Sequence, residues 1–202
     1  MNARTLGERS EDMGVNVSSM EVFKEQLKSY ILENDQLLSD LKLVRALDLP
    51  DCCIAAGYIR NYIWDRLHGF GVQNNHSDID VVYFYNQDLS EERDWLLERH
   101  LRTTTGNEKW SVKNQARMHI RNEDNPYSST ENAMAHWPET ATAIGIRIDF
   151  NNDIVLTAPY GVDDLFGLKV RQSPLFKDRS YFLERIMGKK WLSTWPNLKL
   201  VR

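Results

Sequence analysis

Ser77-Asp78-Ile79-Asp80-Val81-Val82-Tyr83-Phe84-Tyr85 sets two carboxylates two residues apart at the entrance of a β-branched and aromatic run. Successive strand side chains point to opposite faces, so Asp78 and Asp80 share one. Two like charges on one face repel unless a cation or a proton intervenes. At neutral pH the simplest remedy is a hard divalent cation; Mg²⁺ takes one or two carboxylates and fills its shell with water and substrate phosphates. An Asp-x-Asp also arises by chance, and aspartates often end loops before strands, so the metal reading leans on the rigid strand that follows. Upstream, Ile54-Ala55-Ala56-Gly57-Tyr58-Ile59-Arg60-Asn61 runs from small residues through a glycine into a helix. A glycine entering a helix, then Asp-x-Asp on a strand, reads as a nucleotide site.

Outward from that pair, helical spacing of Val22, Phe23, Leu27, Tyr30, Ile31 and Leu37 predicts an amphipathic helix over 20–38, with a second short helix over 40–46 ended by Pro50. The helix opened by Gly57 runs to about His68, and 71–76 is a polar loop in which His76 either assists phosphates or decorates the loop. Beyond the Asp-x-Asp strand, Ser90 caps a helix over 91–101, and Thr103 to Gly106 turn the chain. Residues 110–120 read as a strand pair or one long bent strand whose polar string, Asn114, Gln115, Arg117 and His119, is either a site wall or hydrogen-bonded structure. Ser128 with Glu131 offers a capping box for a short helix through His136. Residues 141–150 and 154–159 flank Asn151-Asn152-Asp153 as a hairpin; helices follow near 162–170 and 181–191, with Trp191 and Trp195 packing the last one down. This order predicts an α+β fold with a small mixed sheet flanked by helices. Residues 1–19 read as a disordered lead-in, with Met13 and Met20 as alternative starts, and 20–202 as one domain with a basic C-terminal helical segment.

Composition bounds the function class. The chain has 202 residues, 42% of them hydrophobic and 27% charged, enough for one buried core. No apolar run approaches the roughly 20 residues that span a bilayer, so no membrane role is expected. The two cysteines, Cys52 and Cys53, are adjacent, which fits neither a disulfide nor a zinc pattern and points to a reducing cytoplasm. Net charge is −4, yet residues 165–202 hold nine Lys/Arg against two Asp/Glu. That basic end suits either a triphosphate or other polyanion, or a solvated face against the acidic body. The metalloprotease, P-loop, serine-hydrolase and dinucleotide fingerprints are all missing.

Gly57, a helix, then Asp78-x-Asp80 resembles the signature of the polymerase-beta-type nucleotidyltransferase superfamily. The stretch from Gly145 to Asp149 and from Tyr160 to Leu165, ending Lys169-Val170-Arg171, looks like the hairpin and turn of tRNA-nucleotidyltransferase and bacterial poly(A)-polymerase heads. The blocks 54–57, 110–119 and 136–143 are similar to a compact, mostly bacterial nucleotidyltransferase-like family of unknown function. The resemblance spans about Pro50 to Trp195 and implies a polymerase-beta-like fold. It also implies Mg²⁺-dependent transfer of a nucleoside monophosphate from a nucleoside triphosphate to an acceptor hydroxyl: RNA, protein or a small molecule. Asp78 and Asp80 would hold the metals, Gly57 and Arg60 the triphosphate, and Arg117 would contribute to nucleotide binding. Two departures stand out. Tyr58 follows Gly57 where the superfamily has a second glycine or a serine, and no acid lies on 110–117 to serve as a third carboxylate, leaving Asp149 as a weak candidate. These departures keep open a catalytically silent nucleotide-binding or protein-interaction module, including an antitoxin-like partner.

Overall fold

The computed structural model describes residues 19–71 and 78–201; the expected lead-in up to residue 18 and the loop residue His76 lie outside them. In chain order, helices α1 (Ser19–Leu32) and α2 (Asp35–Arg45) precede strand β1 (Cys53–Ala55), α3 (Gly57–Leu67) and β2 (Ile79–Tyr83). Then come α4 (Glu91–Thr105), β3 (Trp110–Asn114), α5 (Met118–Asn122), α6 (Thr130–Met134) and the pair β4 (Gly145–Ile148) and β5 (Ile154–Thr157). The chain closes through α7 (Asp163–Phe166), β6 (Lys169–Val170), α8 (Arg179–Lys189), α9 (Trp191–Thr194) and β7 (Lys199–Leu200).

Among the described residues the main sheet has the order β3-β2-β1-β4-β5. Only β2 and β3 run parallel; β1 is antiparallel to both β2 and β4, and β4 to β5. The sheet is thus small and mixed, as expected. Alternation gives it two unlike faces. Ile54, Val81, Tyr83, Trp110, Val112 and Ile146 join the large core together with Leu27, Ile31, Leu41, Ile59 and Trp64 of the first three helices. The opposite face carries Cys53, Ala55, Asp80, Val82, Ser111 and Lys113 in register. A small cluster of Cys53, Ala55, Val82, Met134 and Ala143 covers only part of it. That face is therefore lined mainly by small or charged side chains. No helix of the described residues is long and apolar enough to cross a membrane.

Several boundaries differ from the sequence expectation for local reasons. The helix expected over 20–38 breaks at Asn34, whose side chain accepts the Leu37 N–H at 3.0 Å and starts α2; an Asn competes well as an N-cap. The fourth helix runs on through Thr105 to a left-handed Gly106. Residues 110–120 are not one strand. Buried Asn114 ends β3 by taking the Tyr85 and Ala116 N–H groups on Oδ1 and donating to the Tyr85 and Asp88 carbonyls, and a 3₁₀ turn and α5 follow. The cap of α6 is Ser129 rather than Ser128. The expected helix over 162–170 is one turn, after which Lys169 and Val170 pair with Lys199 and Leu200.

Candidate active site

A cleft of about 830 Å³ opens over the charged face of the sheet. Its floor is Ala56, Asp80, Val82 and Lys113; His136, Trp137 and Thr142 form one wall and Tyr181 and Arg185 of α8 another. Asp78 lies exposed one residue before β2, and Asp80 is half-buried within it. Burial, and then the charge of Asp78, push the Asp80 carboxyl up to about 6, against the opposing pull of Arg60, Arg185 and Lys113. The pair thus carries the mutual repulsion read from the sequence, with cations already gathered around it.

Ala56 joins β1 to α3 with φ 59° and ψ −131°, a backbone conformation that side-chain-bearing residues rarely hold. It is pinned from both sides: its N–H donates to the Ile144 carbonyl and its own carbonyl accepts the Arg60 N–H, each at 3.0 Å. This turn aims the start of α3, at buried Gly57, along the edge of the cleft floor. The first N–H groups of a helix have no intrahelical partner, and that end favours anions. Tyr58 does not obstruct it. Its hydroxyl turns away to donate to buried Asp40 at 2.6 Å.

Arg60 is 4% exposed and sits behind the cleft wall. Its Nη1 donates to Thr142 Oγ1 at 2.6 Å, and Nε and Nη2 donate to Asn61 Oδ1. The guanidinium stacks 4.1 Å from the Trp191 ring centroid and 4.9 Å from that of Trp64. Burial lowers it to about 10, with the Glu139 carboxylate opposing.

A family model described as Nucleotidyltransferase matches residues 42–200. The chain belongs to that nucleotidyltransferase family. Among solved structures, one titled as revealing a CCA-adding enzyme head domain by NMR is 32% identical, with a TM-score of 0.79 over 88% of this chain and 95% of that one. A CCA-adding enzyme in complex with CTP shares the fold at 12% identity and a TM-score of 0.55; the match takes in 87% of this chain but 43% of that one. No curated protein matches the chain.

For this nucleotidyltransferase-family chain, Gln115 of the polar string lines the cleft, whereas Asn114, Arg117, His119 and Asp149 lie outside it. Buried Arg117 pairs with fully buried Asp94 through Nη2. It is held there because the chain leaves strand geometry at Asn114. Asp149 closes the hairpin turn, its Oδ1 accepting the N–H groups of Asn151 and Asp153, both at 2.9 Å. That is the turn role an acid at a strand end suggests, and it lies at the opposite end of β4 from Gly145, which pairs with Ala55 beside Asp80. Beside Asp80 on β3 the register places Ser111, and then Lys113 on the same face. Among the described residues no three His, Cys, Asp or Glu side chains form a metal cage. The donor set therefore fits a hard cation held by two carboxylates and completed by substrate phosphates and water, which is the coordination habit of Mg²⁺. Sequence reasoning missed Lys113 and Arg185 as lining residues. The first signal was available, since Lys113 lies in the strand beside Asp-x-Asp; Arg185 was one of nine basic residues with nothing local to single it out.

Proposed function

We propose that the cleft binds a nucleoside triphosphate with Mg²⁺ and transfers its nucleoside monophosphate to an acceptor hydroxyl, with release of pyrophosphate. The observation that carries this reading is Asp80 on the cleft floor, beside the start of α3, with exposed Asp78 two residues before it at the entrance of the same strand. Asp78 and Asp80 would hold Mg²⁺, which supplies charge neutralisation at the attacking and leaving oxygens. The backbone of Ala56 and Gly57 lets phosphates approach the α3 N-terminus, whose N–H groups and dipole favour negative charge. Arg60 supports that wall through Thr142 and adds positive potential from behind. Lys113 faces the cleft, with its side chain 42% exposed and Glu98 3.8 Å away. The acceptor hydroxyl belongs to RNA, a protein or a small molecule. Adjacent free thiols at Cys52 and Cys53 favour a reducing cytoplasm.

A second reading has an observation of its own. With no third acid grouped with Asp78 and Asp80 among the described residues, the acceptor hydroxyl lacks a carboxylate base, which favours a module that binds nucleotide without transferring it. Heteronuclear NMR titration with ATP, GTP, CTP and UTP, with and without Mg²⁺, tests the shared part of both readings. Mg²⁺-dependent shifts clustered at 57–60 and 78–80, and lost in Asp80→Asn, are expected. No binding at millimolar nucleotide would overturn both. Conversion of the bound triphosphate to transferred monophosphate and pyrophosphate separates the enzyme from the silent module.

A further inference from the structure

Two arginines flank one buried carboxylate behind the cleft, and they are not equivalent. Glu139 is 1% exposed. Its Oε1 accepts the Arg185 Nε–H at 2.7 Å, and its Oε2 has no hydrogen-bond partner among the described residues. Arg60, the other cation that feels Glu139, has a partner on each guanidinium nitrogen and is buried. Arg185 is different. Its side chain is 25% exposed and lines the cleft, and neither of its Nη groups has a partner among the described residues. The Trp191 ring, 5.7 Å from the guanidinium carbon, backs it. A guanidinium is a planar fork of five donors; when Nε is tied to a fixed carboxylate, the Nη donors take a fixed direction too. Such a fork suits the paired oxygens of a phosphate better than a lysine does.

We propose that Arg185 is the phosphate clamp of this cleft, gripping the triphosphate tail of the bound nucleotide, and that Glu139 is the positioning residue that aims it. The proposal rests on the nucleotide-binding reading above and assigns the phosphate-facing role to Arg185 in place of Arg60. It makes α8 part of the site: without this helix the sheet offers the carboxylate pair but no fixed guanidinium for the tail. The charge of Arg185 also acts on Asp80, against burial, so both ends of the substrate's charged group fall within one electrostatic neighbourhood. Glu139 offsets the two arginines while the cleft is empty. Its buried, partly unpartnered state is tolerable only with both cations beside it.

The test is calorimetric titration of the full chain, in Mg²⁺, with three probes: inorganic tripolyphosphate, ATP and adenosine. Removing Arg185 alone strands a buried carboxylate and risks the fold, so two gentler variants are used. Arg185→Lys keeps the charge and the ion pair but loses the Nη fork. The double variant Glu139→Gln/Arg185→Gln replaces the ion pair with a neutral hydrogen-bonded one. Expected are roughly tenfold weaker binding of tripolyphosphate and ATP in Arg185→Lys and roughly a hundredfold in the double variant, as for lost charge-assisted hydrogen bonds. Adenosine affinity should stay unchanged. In the wild type the Arg185 Nε–H resonance should shift on adding tripolyphosphate, and Glu139→Gln alone should broaden it and weaken tripolyphosphate binding several-fold. Unaltered tripolyphosphate affinity in both variants, with ATP still bound by the wild type, would overturn the clamp and leave the nucleotide reading standing. Equal loss of adenosine and tripolyphosphate would assign the effect to a distorted cleft and overturn it as well. Absence of any ATP binding by the wild type would overturn both.

Discussion

Asp80 holds the most consequential side chain of the cleft. Its carboxyl is pushed up to about 6 from an ordinary unfolded value near ~3.9. Between those values the folded state binds more protons than the unfolded one. The group's contribution to stability is therefore greatest below the unfolded value and is lost as pH rises through about 6. A bound cation reverses this preference, because it needs the ionised form. Asp80→Asn should raise the stability of the metal-free protein at neutral pH by on the order of 1–2 kcal/mol, after allowance for partial exposure, and abolish stabilisation by Mg²⁺ with ATP. In the wild type that ligand stabilisation should fade as pH falls below about 6. Thermal melts followed by circular dichroism check both, and a lower melting temperature for metal-free Asp80→Asn would contradict the first. At this scale the sequence was legible where chemistry is local. Asp78 and Asp80 announce themselves by spacing, and the turn role of Asp149 by its place at a strand end. Arg60, Arg117 and Arg185 are alike as letters. What sorts them is Thr142, Asp94 and Glu139, at sequence distances of 82, 23 and 46 residues.

Elements were legible wherever a period or a turn signal runs unbroken: the Asp-x-Asp strand, the helix opened by Gly57 and the hairpin around Asn151. They were misread where one polar side chain reroutes the backbone, as Asn34 does by capping α2 and Asn114 by ending β3. Sheet packing adds a constraint with no sequence signature. A Cβ on Gly145 would stand 2.4 Å from Cys53 Sγ, because β4 and β1 bring these neighbours onto the same crowded patch below Met134. Gly145→Ala should destabilise by about 1–3 kcal/mol through overpacking. Urea unfolding should show part of the loss recovered in Cys53→Ala/Gly145→Ala, whereas strictly additive effects would remove Cys53 as the cause.

At the scale of the whole molecule, the basic C-terminal segment is folded back onto the third helix. Trp64 meets Trp191 and Trp195 edge-on, with ring centroids 5.6 and 5.2 Å apart, and Trp195 Nε1 donates to buried Asp65 at 2.8 Å. The expectation that Trp191 and Trp195 pack the end of the chain down is met, and its partner, Trp64, lies on the helix that Gly57 opens. The same docking sets α8 against the cleft. Trp195→Phe keeps an aromatic ring but removes the donor to Asp65, and should cost about 1–3 kcal/mol. Urea unfolding measures it, and an unchanged midpoint would mean that the hydrogen bond contributes nothing net.

The chain has six tryptophans, and their surroundings divide them optically. Trp64, Trp110, Trp191 and Trp195 are buried and Trp95 is 61% exposed, while Trp137 is half-buried against the small cluster and lines the cleft. Buried indoles emit at shorter wavelength than hydrated ones. The four enclosed rings therefore report on the integrity of the fold, and Trp137 reports on what enters the cleft beside it. The difference spectrum between the native chain and its Trp137→Phe variant isolates the second signal, so occupancy and unfolding can be followed separately in one cuvette without a label.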